Sequence, residues 1–439
     1  MTPAPSTLAN TRITALAADR TIHRAFHWLH LYEQQLQRWH SEFLAIPAPP
    51  FGEAARASWF LSRFAGLGLH NPHIDREGNT LAELPSDPCS LIPGSPASLL
   101  AGVVSPVPSR PIILLSAHLD TIFPAGTECT PRVDEHGKLL CPGATDNGAG
   151  LTALLAIAAA LRYANFTPAT TILFAANVGE EGEGDLRGMR HLFSRSPYAH
   201  RIQTAIALEG CGTGTLVDRA LGSRRLRVEI TGPGGHSWAD AGRPSPINAL
   251  AAAIAALTQL ALPSNPRTTL NCGTISGGTS INSIPSSATA DFDLRSTSTE
   301  ELESLETLVL STVSKCVKAE ARRGRARDAL RLQIRRIGDR TAGSLPSDSS
   351  LAISLRAVDR HLNIRTESRI GSTDANLPLS LGIPALAIGA GGTGGGIHTT
   401  EEWYSPTNRE LALRRILLLL LDTCSQHATD TATLSEAAR

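Results

Sequence analysis

Short apolar runs that end on charged or glycine-rich clusters recur through the first half of this chain. Ile112–Ala117 runs into His118-Leu119-Asp120, Thr170–Ala176 into Gly179-Glu180-Glu181-Gly182, and Thr204–Leu208 into Glu209-Gly210. Between them the Ala/Leu-rich segment Leu151–Arg162 reads as a helix opening on Gly143-Ala144-Thr145-Asp146-Asn147-Gly148, and Leu186–Ser194 reads as another. Strand-length runs alternating with helical segments define an α/β fold, whose chemistry gathers beyond the carboxyl ends of the strands. Residues 22–46 and 54–66 read as helices, the second closed by Gly66-Leu67-Gly68, and His73–Leu84 as a β segment. Residues 85–110 are rich in Pro, Ser and Gly and read as an exposed excursion.

After about residue 218 the texture changes. Arg225–Thr231, Thr269–Ile275, Ala288–Arg295 and Leu330–Ile337 read as strands, with helices at Ile247–Leu260 and Glu300–Ala321. That β-α-β-β-α-β order is a split-βαβ, ferredoxin-like module. The α/β texture then resumes with helix Ser349–Leu362 and strand Ala385–Ile388. A chain of 439 residues exceeds one hydrophobic core, which stops growing at roughly 250–300 residues. The expected organisation is a catalytic domain of residues 1–218 and 340–439, interrupted by a module at 219–339.

Charge removes several partner classes. Lys and Arg total 40, as do Asp and Glu, so no net field draws the chain to nucleic acid or an anionic membrane. The strongest apolar run, Ile416–Leu421, falls far short of the ~18–20 residues that span a bilayer and reads as buried helix. The first residues carry Arg12, Arg20 and Arg24 with no apolar stretch before them, which points to a cytoplasmic protein rather than a secreted one. Seven scattered Cys without a C-x-x-C pair suggest neither a disulfide framework nor a thiolate zinc site.

Singly, each polar cluster has a plain structural explanation: a satisfied strand-end histidine, an Asp that caps the next helix, a solvated pair of glutamates. As a set they fit two zinc ions sharing one carboxylate. His118, Asp146, Glu181, Glu209 and the distant His398 supply such a ligand set, with Asp146 as the bridge. Asp120, two residues from His118, is placed to hold the second imidazole nitrogen. Glu180, beside the ligand Glu181, is left as general base. Imidazole and carboxylate without thiolate suit zinc, two per subunit, with cobalt or manganese as the other ions such a site takes.

These motifs resemble the zinc exopeptidase and deacylase family that contains peptidase T, acetylornithine deacetylase, aminoacylase and carboxypeptidase G. The resemblance runs from about His118 to His398 in consistent order. It implies that His118 and Glu209 share one zinc, Glu181 and His398 the other, and that Glu180 later donates its proton to the leaving amine. It also implies that residues 219–339 form a lid that dimerises. Gly232-Pro233-Gly234-Gly235-His236-Ser237 matches the family's histidine motif, in which His236 polarises the scissile carbonyl, often from the partner subunit. Asn282, in Gly277–Pro285, matches a substrate-contacting asparagine, and Arg295 an arginine that grips a substrate carboxylate. The implied substrates are small peptides or N-acyl amino acids, cleaved at a peptide or amide bond. Glu209 leans toward carboxypeptidases and deacylases, whereas the stretch Gly371–Trp403 lies closer to peptidase T. Asn147 departs from the second Asp that many relatives carry after the bridging residue, and Trp238 marks a subgroup with its own substrate.

Two competing readings are weaker. Gly389-Ala390-Gly391-Gly392-Thr393-Gly394 matches G-x-G-x-x-G, but no amphipathic helix follows to offer its N-terminus to a pyrophosphate. Its glycines fit a tight backbone turn beside His398 better. A metal-free binding protein on the same scaffold would have lost a ligand or the base, and here every such position is filled.

Overall fold

The computed structural model describes residues 5–86, 110–323 and 330–437. From residue 87 to 109 the stretch read as an exposed excursion lies outside the described residues. The chain folds into two compact units, Met1–Arg219 with Ser344–Arg439, and Ala220–Gly343.

In chain order the first unit begins with helices α1 (Pro5–Ala17), α2 (Arg20–Leu31), α3 (Glu33–Leu44) and α4 (Ala54–Gly66). Strands β1 (His70–Ile74), β2 (Thr80–Leu84) and β3 (Ile112–His118) follow, then α5 (Gly148–Ala164), β4 (Thr171–Asn177), α6 (Arg187–Ser194), β5 (Ile202–Leu208) and β6 (Thr215–Ala220). The main sheet runs β1-β2-β4-β3-β5, then Ala385–Ile388, then β6. Its centre is parallel: β3 pairs with both β4 and β5, and β5 with Ala385–Ile388. Every residue of β3 and β4 is buried, which is why these strands read as unbroken apolar runs rather than alternating ones. Helix α5 is buried along almost its whole length, and Ile416–Leu421 is buried within the last helix, Arg409–Ala437. Each such leucine contributes about 1.5–3 kcal/mol by leaving water.

Two features differ from the sequence expectations. Residues 22–46 form not one helix but two, α2 and α3, meeting at Tyr32, whose ring stacks on Trp28 at 4.9 Å. The β segment His73–Leu84 is the core of a hairpin, β1 against β2. Its turn is fixed by Asp75, whose carboxylate accepts from the backbone N–H groups of Glu77, Gly78 and Asn79.

The second unit comprises β7 (Gly222–Thr231), α7 (Pro246–Leu257), β8 (Thr268–Gly277), β9 (Ser287–Ser296), α8 (Thr299–Arg323) and β10 (Arg331–Arg340). Its antiparallel sheet runs β8-β9-β7-β10, the ferredoxin-like order. Strict alternation in β7 and β9 sends Leu226, Val228, Ile230, Ala290, Phe292 and Leu294 to one face, against Leu250, Leu305 and Val309 of the helices. The opposite face carries charge, with Arg227 bidentate to Asp291 at 2.8 Å.

Candidate metal centre

Strands β3, β4 and β5 are parallel neighbours, so their carboxyl ends lie side by side. The register sets His118 opposite Asn177 and Ser116 opposite Ala207. His118 therefore leaves the sheet beside the turn that carries Glu180 and Glu181, and near Glu209, the residue after β5. Asp146 enters from the turn that starts α5, and His398 from the loop between the short strands Thr393–Gly395 and Trp403–Ser405.

The five residues meet as two triads that share one carboxylate. His118 Nε2 lies 3.2 Å from Asp146 Oδ1 and 3.4 Å from Glu209 Oε1. His398 Nε2 lies 3.2 Å from Asp146 Oδ2 and 3.1 Å from Glu181 Oε1. Each triad's candidate ligand atoms fall within 4.8 Å of one another. Asp146 thus turns one oxygen to each triad, the arrangement a bridging ligand needs.

The chemistry of the donors fits a cation pair. His118 Nδ1 lies 3.0 Å from the backbone oxygen of Asp120, an acceptor only. Nδ1–H therefore donates to that oxygen, and Nε2 is the nitrogen left facing two carboxylates, where it can take a proton or a metal ion. His118 Nε2, Asp146 Oδ1 and Glu209 Oε2 are all buried without a hydrogen-bond partner. A cluster of this kind calls for positive charge at its centre, supplied by a proton on the imidazole or by a metal ion. The proton affinities reflect the same attraction for positive charge. Burial opposes a charge on His118, yet Glu209 and Asp146 outweigh it and hold the imidazole well above its ordinary value. The hydrogen bond that His398 Nε2–H donates to Asp146, reinforced by the charge of Glu181, raises His398 to about 9. Burial raises Glu209 to about 7. Burial also acts on Asp146, but its two histidines win and keep its carboxyl below the usual range.

Asp120 plays a different part from the one expected. Its backbone oxygen, not its carboxylate, holds the His118 ring; Oδ1 is 3.7 Å from Nδ1. The carboxylate instead accepts from the backbone N–H groups of Glu180 at 3.0 Å and Glu181 at 2.7 Å. Asp120 therefore fixes Glu180 and Glu181 together. The fully buried Arg56 stabilises this strand end by donating to Leu119 O at 2.7 Å and to Ile46 O.

Two residues brace the Asp146 turn, Asn147 within it and Glu402 from the segment that carries His398. The helix cap is Asn147, not Asp146: its Oδ1 accepts from Gly150 N and from Gly210 N, while its Nδ2 donates to Leu208 O at 2.9 Å. An aspartate could not make that last bond, which is a local reason for Asn at this position. Glu402 escaped notice altogether. It is 1% exposed, and its carboxylate accepts from Gly143, Thr145 and Asp146 N–H at 2.7–2.8 Å. It thereby ties the turn of the bridging residue to the chain segment that carries His398. Its signal was a Glu four residues after that histidine. The glycine run serves the same junction: a Cβ on Gly394 would collide with Thr145, and one on Gly392 with Tyr404.

The second unit assembles part of its own expected set. Gly235–His236 pairs with Ser283–Ile284, and Ser237 N donates to Asn282 O at 3.0 Å, so His236 and Asn282 share one ribbon. Arg295 is not brought to them within this unit. It lies eight positions beyond Ser287 on β9, opposite Ser223, roughly 26 Å along the strand. Its guanidinium is engaged by Asp293 at 2.7 Å.

A mixed α/β unit with two carboxylate–histidine triads at strand ends and a ferredoxin-like unit within the same chain is the architecture of a metallopeptidase. Comparison with known proteins agrees. Residues 220–319 match the peptidase dimerisation domain, and residues 101–224 match peptidase family M28. A tripeptidase from Staphylococcus aureus has the same fold, with a TM-score of 0.69 at 21% identity over 90% of this chain and 99% of that one. Aminopeptidase PepT from Bacillus cereus gives 0.66 at 20% over 89% and 98%, and human carnosine dipeptidase 1 gives 0.63 at 14% over 92% and 99%. A probable carboxypeptidase from Aspergillus clavatus is 28% identical over 262 residues, 56% of this chain. The match spans about half that curated relative, 54% of its length. These matches support the metallopeptidase family that the motifs resemble. Among the described residues no helix is long and apolar enough to cross a membrane.

Proposed function

We propose that the chain is a co-catalytic di-zinc hydrolase that cleaves the peptide or amide bond of small peptides or N-acyl amino acids. One observation carries the reading: Asp146 divides its oxygens between two triads, and in the first of them the buried His118 Nε2, Asp146 Oδ1 and Glu209 Oε2 lack hydrogen-bond partners. His118 and Glu209 would hold one ion, His398 and Glu181 the other, and Asp146 both. Bound zinc supplies Lewis-acid chemistry, polarising a carbonyl and acidifying water. Glu180, buried beside the ligands, accepts a proton on its carboxylate from the attacking water and passes it to the leaving amine nitrogen. Asp120 keeps that carboxylate in place through the Glu180 N–H.

Replacing Glu180 with Gln preserves shape and removes the proton acceptor. The expected result is a kcat lower by ~10²–10⁴ with metal content unchanged. Near-normal turnover at full metal occupancy would dismiss the role. Glu209 favours substrates presenting a carboxylate, which keeps N-acyl amino acid deacylation as the second reading. A screen of dipeptides, tripeptides and N-acyl amino acids with added zinc separates the two.

The dimerisation-domain match supports a homodimer formed through Ala220–Gly343, with His236 polarising the scissile carbonyl from the partner subunit. Mixing inactive His236→Ala and Glu180→Ala chains should then restore about half of wild-type activity per heterodimer, because one of its two sites is intact. No recovery after verified subunit exchange would place His236 in service of its own chain.

A further inference from the structure

The ribbon that carries His236 and Asn282 also displays the two most exposed large apolar side chains among the described residues. Trp238 is 86% exposed and Ile281 fully so. Trp238 lies two residues after His236, and Ile281 immediately precedes Asn282 in the turn that leads into the paired strand Ser283–Ile284. The remaining four tryptophans each meet another aromatic ring or a cation. Among the described residues Trp238 meets neither.

This exposure is built into a braced turn. Asp240 accepts from His236 N at 2.8 Å and pairs with Arg243 at 3.1 Å, and Arg243 in turn donates to Gly234 O. A Cβ at Gly235 would strike the Asp240 carboxylate. The N–H groups of Trp238 and Ala239 both point at His236 Nδ1, at 3.2 and 3.3 Å. Nδ1 is therefore an acceptor, and the ring proton sits on Nε2, where it can be donated to a carbonyl oxygen. The same few residues thus fix a hydrogen-bond donor and, beside it, an unpartnered indole. Next to Ile281 opens a groove of about 770 Å³, lined by Ile247, Gly278, Ser280, Ile284 and Pro285. That volume is on the scale of a whole small ligand and leaves ample room for a bulky amino-acid side chain or acyl group.

We propose that Trp238 and Ile281 are specificity-determining contacts that select substrates with a bulky apolar group on the acyl side, on the residue whose carbonyl faces His236. The inference rests on the hydrolase reading above and names its substrate class. An indole and a branched aliphatic chain gain by burial only against an apolar partner, and their adjacency to the carbonyl donor places that partner on the acyl side.

The test uses full-length, zinc-loaded enzyme and matched substrates that differ only on the acyl side: Leu-Ala with Gly-Ala, Leu-Ala-Ala with Gly-Ala-Ala, and N-hexanoyl- with N-acetyl-alanine. Wild type should favour the apolar member in kcat/KM by about tenfold or more. Trp238→Ala should lower that ratio about tenfold, Ile281→Ser should lower it less, and Trp238→Phe should retain most of it. A wild-type ratio near one, or an unchanged ratio in Trp238→Ala, overturns the proposal. An unchanged ratio accompanied by dissociation to monomers would assign the patch to an interface between copies instead. If wild type cleaves no member of any pair, the hydrolase reading itself falls, whereas cleavage without preference removes this inference alone.

Discussion

The two halves of the metal centre are built from different material. His118 ends the central strand of the main sheet, is 1% exposed, and has its ring fixed by the Asp120 backbone oxygen. Its partner Glu209 directly follows the neighbouring strand. His398 instead stands on a glycine-rich loop with φ +66, and half of its side chain is exposed. That loop is held through Glu402, whose carboxylate gathers three N–H groups of the Asp146 turn. One half is thus positioned by the core that folds the protein, and the histidine of the other by a buried polar clasp beneath an exposed loop. A core-borne ligand is ordered as a consequence of folding, whereas a loop-borne ligand must be ordered at its own entropic cost. The two triads should therefore hold metal unequally although their ligand types are alike.

The largest expected effect removes the residue the halves share. Asp146→Ala should empty both sites and lower activity by more than about 100-fold, since even an outer partner of a metal ligand is commonly worth 10–100-fold. Metal content by mass spectrometry alongside turnover decides it. Retention of two tightly bound ions would end the description of a bridged centre.

Next come the separate halves. His118→Ala leaves buried carboxylates without their partner and should destabilise the metal-free fold by roughly 1–3 kcal/mol, besides losing one ion. His398→Ala should also lose one ion, yet destabilise the metal-free protein less than His118→Ala does, because its side chain is half exposed. Thermal melts with metal analysis compare them directly. Equal destabilisation by both changes would abolish the contrast between core and loop.

The smallest effect is a pH dependence. His398 rises to about 9 in the folded, metal-free protein from an ordinary 6.5, so its contribution is fully present below about 6.5 and lost as pH rises toward 9. Burial raises Glu209 to about 7 from 4.5, and the protonated form favoured by the fold is likewise lost as pH rises through that range. Both act in one direction: the melting temperature of metal-free protein should fall between about pH 5 and 9. Zinc replaces the displaced protons, so its affinity should climb over the same interval, with proton release measurable in weakly buffered titrations. A metal-free melting temperature that rises with pH would show that neither group is held as described.

Much of the catalytic unit could be read from residues alone, because buried parallel strands leave continuous apolar runs and a metal site leaves ligand-type residues at their ends. The same local patterning marked the inserted module, where alternation in β7 and β9 and the helix Glu300–Ala321 are consequences of one buried face. Local pattern is weaker where tertiary packing decides. Residues 22–46 have helical periodicity throughout, and nothing in that periodicity states that the helix breaks at Tyr32. His73–Leu84 has β character from end to end, and only the Asp75 turn folds it back on itself.

At the site, the order His118, Asp146, Glu180-Glu181, Glu209, His398 specified which atoms are competent to bind metal, since ligand chemistry belongs to the side chain itself. The sequence could not say which oxygen of Asp146 faces which histidine. Nor could it say that the Asp120 carboxylate would serve Glu180 and Glu181 rather than His118, or that Glu402 would reach back about 260 residues to brace the bridge. Those assignments depend on which backbone N–H groups point toward a carboxylate once strands and loops are packed. They arise from directional hydrogen bonds between segments remote in sequence, and only the folded chain brings such segments within bonding distance.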